Sequence, residues 1–180
     1  MGILNYKSTS ITNSDTAPAT FNTAGLGGSA KFKVSTDYVT TGSADSATST
    51  YRMIRLPSNA VVKQILCEAA AMSAGKFKLS VYYSDSVSDA GISGLNSGAV
   101  STAGDQLFIA TDGLVATSAV ALADYTNSSG NYTINLRNTE LWSCCGLTTD
   151  PGGFFDLVYI CTTAVTTGAY LGLYCYWAQP

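Results

Sequence analysis

Between Lys31 and Tyr38 polar and apolar positions alternate. Phe32, Val34, Thr36 and Tyr38 fall on one face, and Lys31, Lys33, Ser35 and Asp37 on the other. A period of two is the mark of a half-buried β-strand. Lys76 to Tyr83 alternates more cleanly, with Phe77, Leu79, Val81 and Tyr83 set against Lys76, Lys78, Ser80 and Tyr82, and predicts a strand with one face on the core. Tyr51 to Leu56 and Val61 to Cys67 are strand-like segments around Pro57-Ser58-Asn59, where proline presets φ and asparagine can bond its own backbone. The pair predicts a hairpin.

Short extended segments follow at Gln106 to Ala110 and Leu114 to Leu122, and Tyr132 to Leu136 alternates again. Asn138-Thr139-Glu140-Leu141-Trp142, closed by Gly146, predicts one short helix with an Asn or Thr cap and a glycine stop. Phe154 to Thr162 and Tyr170 to Trp177 end the chain as two aromatic strands. In the last of them Leu171, Leu173, Cys175 and Trp177 share a face and leave Tyr170, Tyr174 and Tyr176 on the other, as a second buried face or as a subunit contact.

Residues 1–30 show neither period and predict an extended arm. Ser84 to Asp105 is rich in Ser, Gly, Asp and Asn and predicts a long surface loop. The expected architecture is all-β: an antiparallel β-sandwich of jelly-roll type over residues 31–180, with one short helix near 139–145 and an extended N-terminal arm over 1–30.

Charge and composition remove several classes of function. Nine Lys and Arg stand against 12 Asp and Glu, a formal net charge of −3, so no basic field exists for nucleic acid or an anionic membrane surface. There is no histidine, the usual general base and metal ligand near neutral pH, which argues against an enzyme. No apolar run approaches the roughly 20 residues of a membrane-spanning helix, and Met1 to Ser10 carries no signal-peptide pattern, so synthesis in a cytoplasm is expected. Cys67, Cys144, Cys145, Cys161 and Cys175 form an odd set with no CxxC spacing and read as reduced thiols.

The chemical motifs are weak in context. Gly25-Leu26-Gly27-Gly28-Ser29-Ala30 fits a loose dinucleotide fingerprint, but no strand precedes it and no helix follows. Ser73-Ala74-Gly75-Lys76 fits S-x-x-K, yet sits in a turn before a strand. Asn127 and Asn131 open glycosylation sequons that mark a surface loop. Asp85, Asp89 and Asp105 miss the ladder that wraps oxygens around Ca²⁺, and nothing in the spacing of Glu68 or Glu140 selects a catalytic pair. Asp150-Pro151-Gly152-Gly153 opens a strand rather than a helix, so it predicts a sharp turn and no phosphate nest. Catalytic residues, cofactors and metals are therefore expected to be absent.

Two separated stretches carry a resemblance. One is Leu141-Trp142 with Gly146-Leu147-Thr148-Thr149-Asp150-Pro151-Gly152-Gly153-Phe154-Phe155-Asp156. The other is Arg55-Leu56-Pro57-Ser58-Asn59-Ala60-Val61-Val62 followed by Ala74 to Tyr83. In this order they resemble the capsid decoration, or cement, proteins of tailed bacteriophages. The resemblance covers the chain from about Tyr51 to the C-terminus, apart from the Ser84 to Asp105 loop, and does not extend to the arm. It implies a virion structural protein on the capsid exterior: a β-sandwich homo-oligomer, trimer or dimer, that binds the major capsid protein lattice and stabilises the head. The arm residues Ile3, Leu4, Tyr6, Ile11 and Phe21 are the expected capsid contacts, and Tyr170, Tyr174 and Tyr176 the expected subunit contacts. The alternative is a phage spike or carbohydrate-binding module that recognises a host surface.

Overall fold

A computed structural model of the chain describes residues 5–16, 32–84, 105–165 and 167–179. Its strands are β1 (Asn5–Lys7), β2 (Phe32–Thr40), β3 (Thr50–Pro57), β4 (Val61–Ala69), β5 (Lys76–Tyr83), β6 (Ile109–Val115), β7 (Val120–Asp124), β8 (Phe154–Thr163) and β9 (Tyr170–Ala178). They form two sheets, ordered β1-β3-β8-β5-β6 and β2-β9-β4-β7. Leaving out β1, the chain order of the strands across the sheets is second-seventh-fourth-fifth and first-eighth-third-sixth, the two interleaved Greek keys of a jelly roll. All these pairs are antiparallel, whereas β1 adds to the edge of β3 in parallel. The expected all-β sandwich is the fold observed.

The core lies between the sheets and follows the alternation of the strands. Phe77, Leu79 and Val81 of β5 meet Phe155, Leu157 and Tyr159 of β8 on one side, and Leu171, Leu173, Cys175 and Trp177 of β9 face them from the other. Rings supply much of the packing: Phe77 contacts Tyr51 and Tyr159 edge-on, with centroids 6.0 and 6.2 Å away. The three fully buried tyrosines place their hydroxyls on carbonyls or a carboxylate: Tyr132 on Val62 O at 2.7 Å, Tyr51 on Asp45 at 2.7 Å and Tyr159 on Gly172 O at 3.2 Å. An unbonded phenol there would cost stability.

Several local expectations change. Pro57-Ser58-Asn59 does not close a hairpin: β3 and β4 lie in different sheets, and the turn carries the chain from one to the other. Both strands have a central place in their own sheet, and the turn is tied sideways, Ser58 N to Gly153 O at 3.0 Å and Trp142 N to Ser58 O at 3.0 Å. Tyr132 to Leu136 is not a strand; Tyr132 plugs the core, and a 3-10 turn spans Ile134–Asn138. The helix expected near 139–145 is the single turn Leu141–Cys144, capped at Glu140 and ended by Gly146 at φ 74°.

Residues 5–16 of the expected arm are built into the sandwich. Beyond β1, Thr9–Asp15 forms the helix α1, and Leu141–Cys144 is then α2. Ser8 caps α1, accepting from Ile11 N at 3.4 Å while donating to Met53 O at 2.5 Å. A single-residue bulge at Met53 puts Arg52 and Arg55 on the same outer face. There a chain of charges runs from Lys7 to Asp15 (2.9 Å), Asp15 to Arg55 (2.6 Å), Arg55 to Asp156 (2.8 Å) and Asp156 to Arg52 (2.8 Å). Asp156 is fully buried, so the sequence pairs it twice.

Candidate functional site

The outer face of the sheet β2-β9-β4-β7 holds the largest gathering of uncovered aromatic side chains among the described residues. The register places Phe32, Val34, Thr36, Tyr38 and Thr40 of β2 opposite Ala178, Tyr176, Tyr174, Gly172 and Tyr170 of β9. These are the outward positions of both strands. Phe32 (54% exposed), Val34 (40%), Tyr38 (65%) and Tyr170 (42%) make up half of the exposed large hydrophobic residues of the described chain. An apolar patch of this kind on one sheet face signals a contact surface.

The apolar side of the alternation in β2 is thus the exposed side. Its polar side faces inward because Trp177 uses those groups: its Nε1 donates to Ser35 Oγ at 2.9 Å, and Lys33 Nζ lies 4.9 Å from the ring centre. The cation over the indole and the hydroxyl on its N–H satisfy a tryptophan at the rim of the core. The expectation that Tyr170, Tyr174 and Tyr176 stand apart from the Leu171, Leu173, Cys175 and Trp177 face is met. Within the described chain nothing makes that row a second buried face; Tyr174 and Tyr176 are half-buried by neighbours on the sheet, Tyr176 against Phe32 with ring centres 6.2 Å apart.

Gly172 interrupts the tyrosine row. Its cross-strand neighbours are Tyr38 on β2 and Glu68 on β4, and Tyr170 and Tyr174 flank it along β9. A side chain at 172 would meet Glu68, whose Cγ is 2.7 Å and Oε1 3.0 Å from where a Cβ would sit. The missing side chain makes room for Glu68, which lies across it, and beside it a shallow open depression of about 330 Å³ is lined by Thr36, Asp37, Tyr38, Glu68, Tyr170 and Tyr174. Tyr174 Oη reaches Glu68 Oε1 at 3.5 Å, and the charge of Glu68 raises the phenol pKa of Tyr174 above its ordinary value. The depression is therefore aromatic and electronegative.

The other candidate residues divide clearly. Ile3, Leu4 and Phe21 lie outside the described residues. Ile11 is fully buried in the chain's own core, so as placed it has no surface to offer a capsid. Tyr6 is half-buried, stacked on Tyr51 at 5.5 Å and donating to Asp45 at 3.2 Å. All five cysteines are buried thiols, and burial pushes Cys67 up to about 12 and Cys144 and Cys161 up to about 11, which keeps them protonated near neutral pH. Asp150-Pro151-Gly152-Gly153 is a turn: Gly152 and Gly153 take φ 69° and 73°, and Asp150 Oδ1 accepts from Gly152 N at 2.9 Å. Glu140 accepts from Trp142 Nε1 at 2.6 Å, and Asp105 is bonded by Lys78 and Ser80; Asp85, Asp89 and the Gly25 to Ala30 stretch lie outside the described residues.

The part played by Gly172, Glu68 and Tyr38 was missed from sequence. Their meeting depends on the register of three strands far apart in the chain, and the one local sign is a glycine in an otherwise aromatic strand. The fold and its open face define an antiparallel jelly-roll sandwich that presents one aromatic sheet surface. No family model matches the chain, and no curated protein matches it. Among solved structures, a chain of the capsid of Ralstonia phage GP4 is similar at 10% identity and a TM-score of 0.57, covering 83% of this chain and 84% of that one. A chain of the cyanophage Pam1 capsid asymmetric unit is similar at 13% identity and a TM-score of 0.49, over 92% and 96%. The first likeness shows that this arrangement of strands is shared with the Ralstonia phage capsid chain.

Proposed function

We propose that the chain is a non-catalytic structural protein of a tailed-phage head, a decoration protein on the outer surface that binds the major capsid protein lattice and stabilises it. The observation that carries this reading is the shared fold with a chain of the capsid of Ralstonia phage GP4 over 83% of the chain. The uncovered aromatic face of β2 and β9 supports it, since tyrosines bury large areas while keeping a hydroxyl for hydrogen bonds. In this reading the face meets the lattice or a neighbouring copy, with Tyr170, Tyr174 and Tyr176 at the contact and the chain working as a dimer or trimer. A protein that binds only the assembled shell stabilises it by mass action, and many copies need only a modest interface each.

The test mixes purified protein with heads that lack it and measures co-sedimentation and resistance to heat. Binding with a raised disruption temperature supports the proposal, and so does loss of binding in a folded Tyr38→Ser/Tyr170→Ser variant. Absence of binding overturns it. The depression beside Gly172 favours one second reading, a module that recognises a host-surface carbohydrate, because exposed rings beside carboxylates also suit a sugar. Glycan-array binding without affinity for heads selects that reading.

A further inference from the structure

We infer that the free edge of β2 is an interface between two copies of this chain, joined antiparallel about a two-fold axis at Thr36. The inference rests on the proposed role only for what the joined surface meets. The pairing itself follows from the strand.

Among the described residues each sheet has two edges, and three of the four are short or broken. β1 is three residues long and β7 five. β6 has seven, with a register shift against β5 and Asp112 at φ 60°. β2 runs for nine residues in unbroken register with β9, with no proline, glycine or bulge. Thr41 N bonds Ala169 O at 2.9 Å, so the odd-numbered amides turn toward β9 and those of Phe32, Val34, Thr36, Tyr38 and Thr40 turn outward. Tyr38 N agrees with this direction, since it bonds Asp37 Oδ1 of its own strand at 2.8 Å. Among the described residues no other group bonds these outward amides. A long, regular, unpaired edge is a template for another strand.

A second copy fits this template. The side chains that accompany the outward amides are Phe32, Val34, Thr36, Tyr38 and Thr40, with no charge among them to repel an identical strand. Antiparallel pairing over the whole of β2 sets Thr36 opposite itself, Val34 opposite the partner's Tyr38 and Phe32 opposite the partner's Thr40. Outward amides then meet outward amides, so each of these pairs can exchange both N–H···O bonds. A β-branched residue against an aromatic ring, and threonine against threonine, are favourable cross-strand neighbours. Moving the axis to Asp37 would oppose that carboxylate to its own copy, and moving it to Ser35 would leave Val39 and Thr40 unpaired. A two-fold contact uses the edge of both copies and closes, so it selects a dimer over a trimer. It also joins two four-stranded sheets into one, with the exposed rings of both copies on the same side.

Sedimentation velocity of the full chain over a dilution series should show a concentration-dependent dimer. Thr36→Pro removes an outward amide and no bond to β9, so tryptophan fluorescence should stay native. Dimerisation should weaken about tenfold or more, because the symmetric contact loses that bond twice. Tyr170→Ser changes the exposed face one strand in from the edge and should leave the dimer intact. Under mild oxidation Thr36→Cys should form an inter-chain disulfide, since opposed positions lie within its reach, whereas Thr40→Cys should not. The five native thiols are buried and do not compete. A monomer at every concentration, a trimer, a dimer that Tyr170→Ser abolishes and Thr36→Pro does not, or cross-linking at position 40 in place of 36 overturns the inference. The two proposals fail separately. A dimer paired through β2 that ignores heads removes the head role and keeps the interface. Head binding by a chain that stays monomeric keeps the role and removes the interface.

Discussion

Ile11→Ala asks whether the N-terminal segment belongs to the sandwich or hangs from it. Ile11 is fully buried on α1, a seven-residue helix that packs against β3 and β2. Truncating a buried isoleucine to alanine costs about 2–5 kcal/mol, and a site at the margin of the core, where α1 can settle inward, belongs near the lower end. The expected loss is therefore about 2–3 kcal/mol, a sizeable share of the roughly 5–15 kcal/mol that holds a domain together. Urea unfolding read by the fluorescence of Trp142 and Trp177 should show the midpoint falling by about 1 M with an unchanged slope, given a typical slope of about 1–3 kcal/mol/M. Ser8→Ala, which removes the cap and the bond to Met53 O, should cost about 1 kcal/mol more in the wild-type background. A loss below about 0.5 kcal/mol for Ile11→Ala, the range of ordinary surface changes, would refute the docking of this segment.

Three further outcomes follow from the same geometry. Asp156→Ala leaves Arg52 and Arg55 without their shared buried carboxylate and should lower unfolding free energy by about 3–5 kcal/mol in the same urea assay; a loss under about 1 kcal/mol contradicts the pairing. For pH, Asp112 is lowered by its bond from Thr162, while burial pushes Asp105 and Asp124 up but bonds from Lys78 and Ser80, and from Thr126 and Gln64, leave both below the ordinary 3.8. A lowered folded pKa adds stability above the unfolded value and loses it as pH falls through the folded one, so the urea midpoint should hold between about pH 5 and 8, where no histidine titrates, and drop below about pH 4. A transition near pH 6.5 contradicts this. Iodoacetamide should leave the native thiols unmodified near neutral pH and alkylate all five cysteines in urea, counted by mass spectrometry; rapid native labelling would contradict their burial.

Legibility in the sequence followed the range of the forces involved. The period of two located β5 and β9 and assigned their faces correctly, because both strands bury one face against the opposite sheet. The same period located β2 but left its inner face open: the polar side serves Trp177 and the apolar side stays exposed. Alternation reports that the two faces differ; which face is inward depends on a strand more than a hundred residues away. The Pro57 turn carried its turn signal, but strand pairing across two sheets is non-local, and a corner between sheets looks like a hairpin from inside its own four residues. Thr9–Asp15 escaped notice because a helix of seven residues made of Thr, Ser, Asn and Asp has little intrinsic propensity and is held by Ile11 and the Asp15 to Arg55 bridge. Of the candidate surface, the tyrosines of β9 were visible in the sequence. Their partners Tyr38 and Glu68 became visible only with the register.

The central claim is that this jelly roll is fixed to a phage shell by its open aromatic face. A cryo-electron microscopy reconstruction of heads saturated with the protein tests it most directly. The account predicts ordered density for the sandwich on the outside of the shell, with Phe32, Tyr38, Tyr170 and Tyr174 covered by the capsid lattice or a neighbouring copy. Heads without such density, or density in which the β2 and β9 face points to solvent, would contradict it.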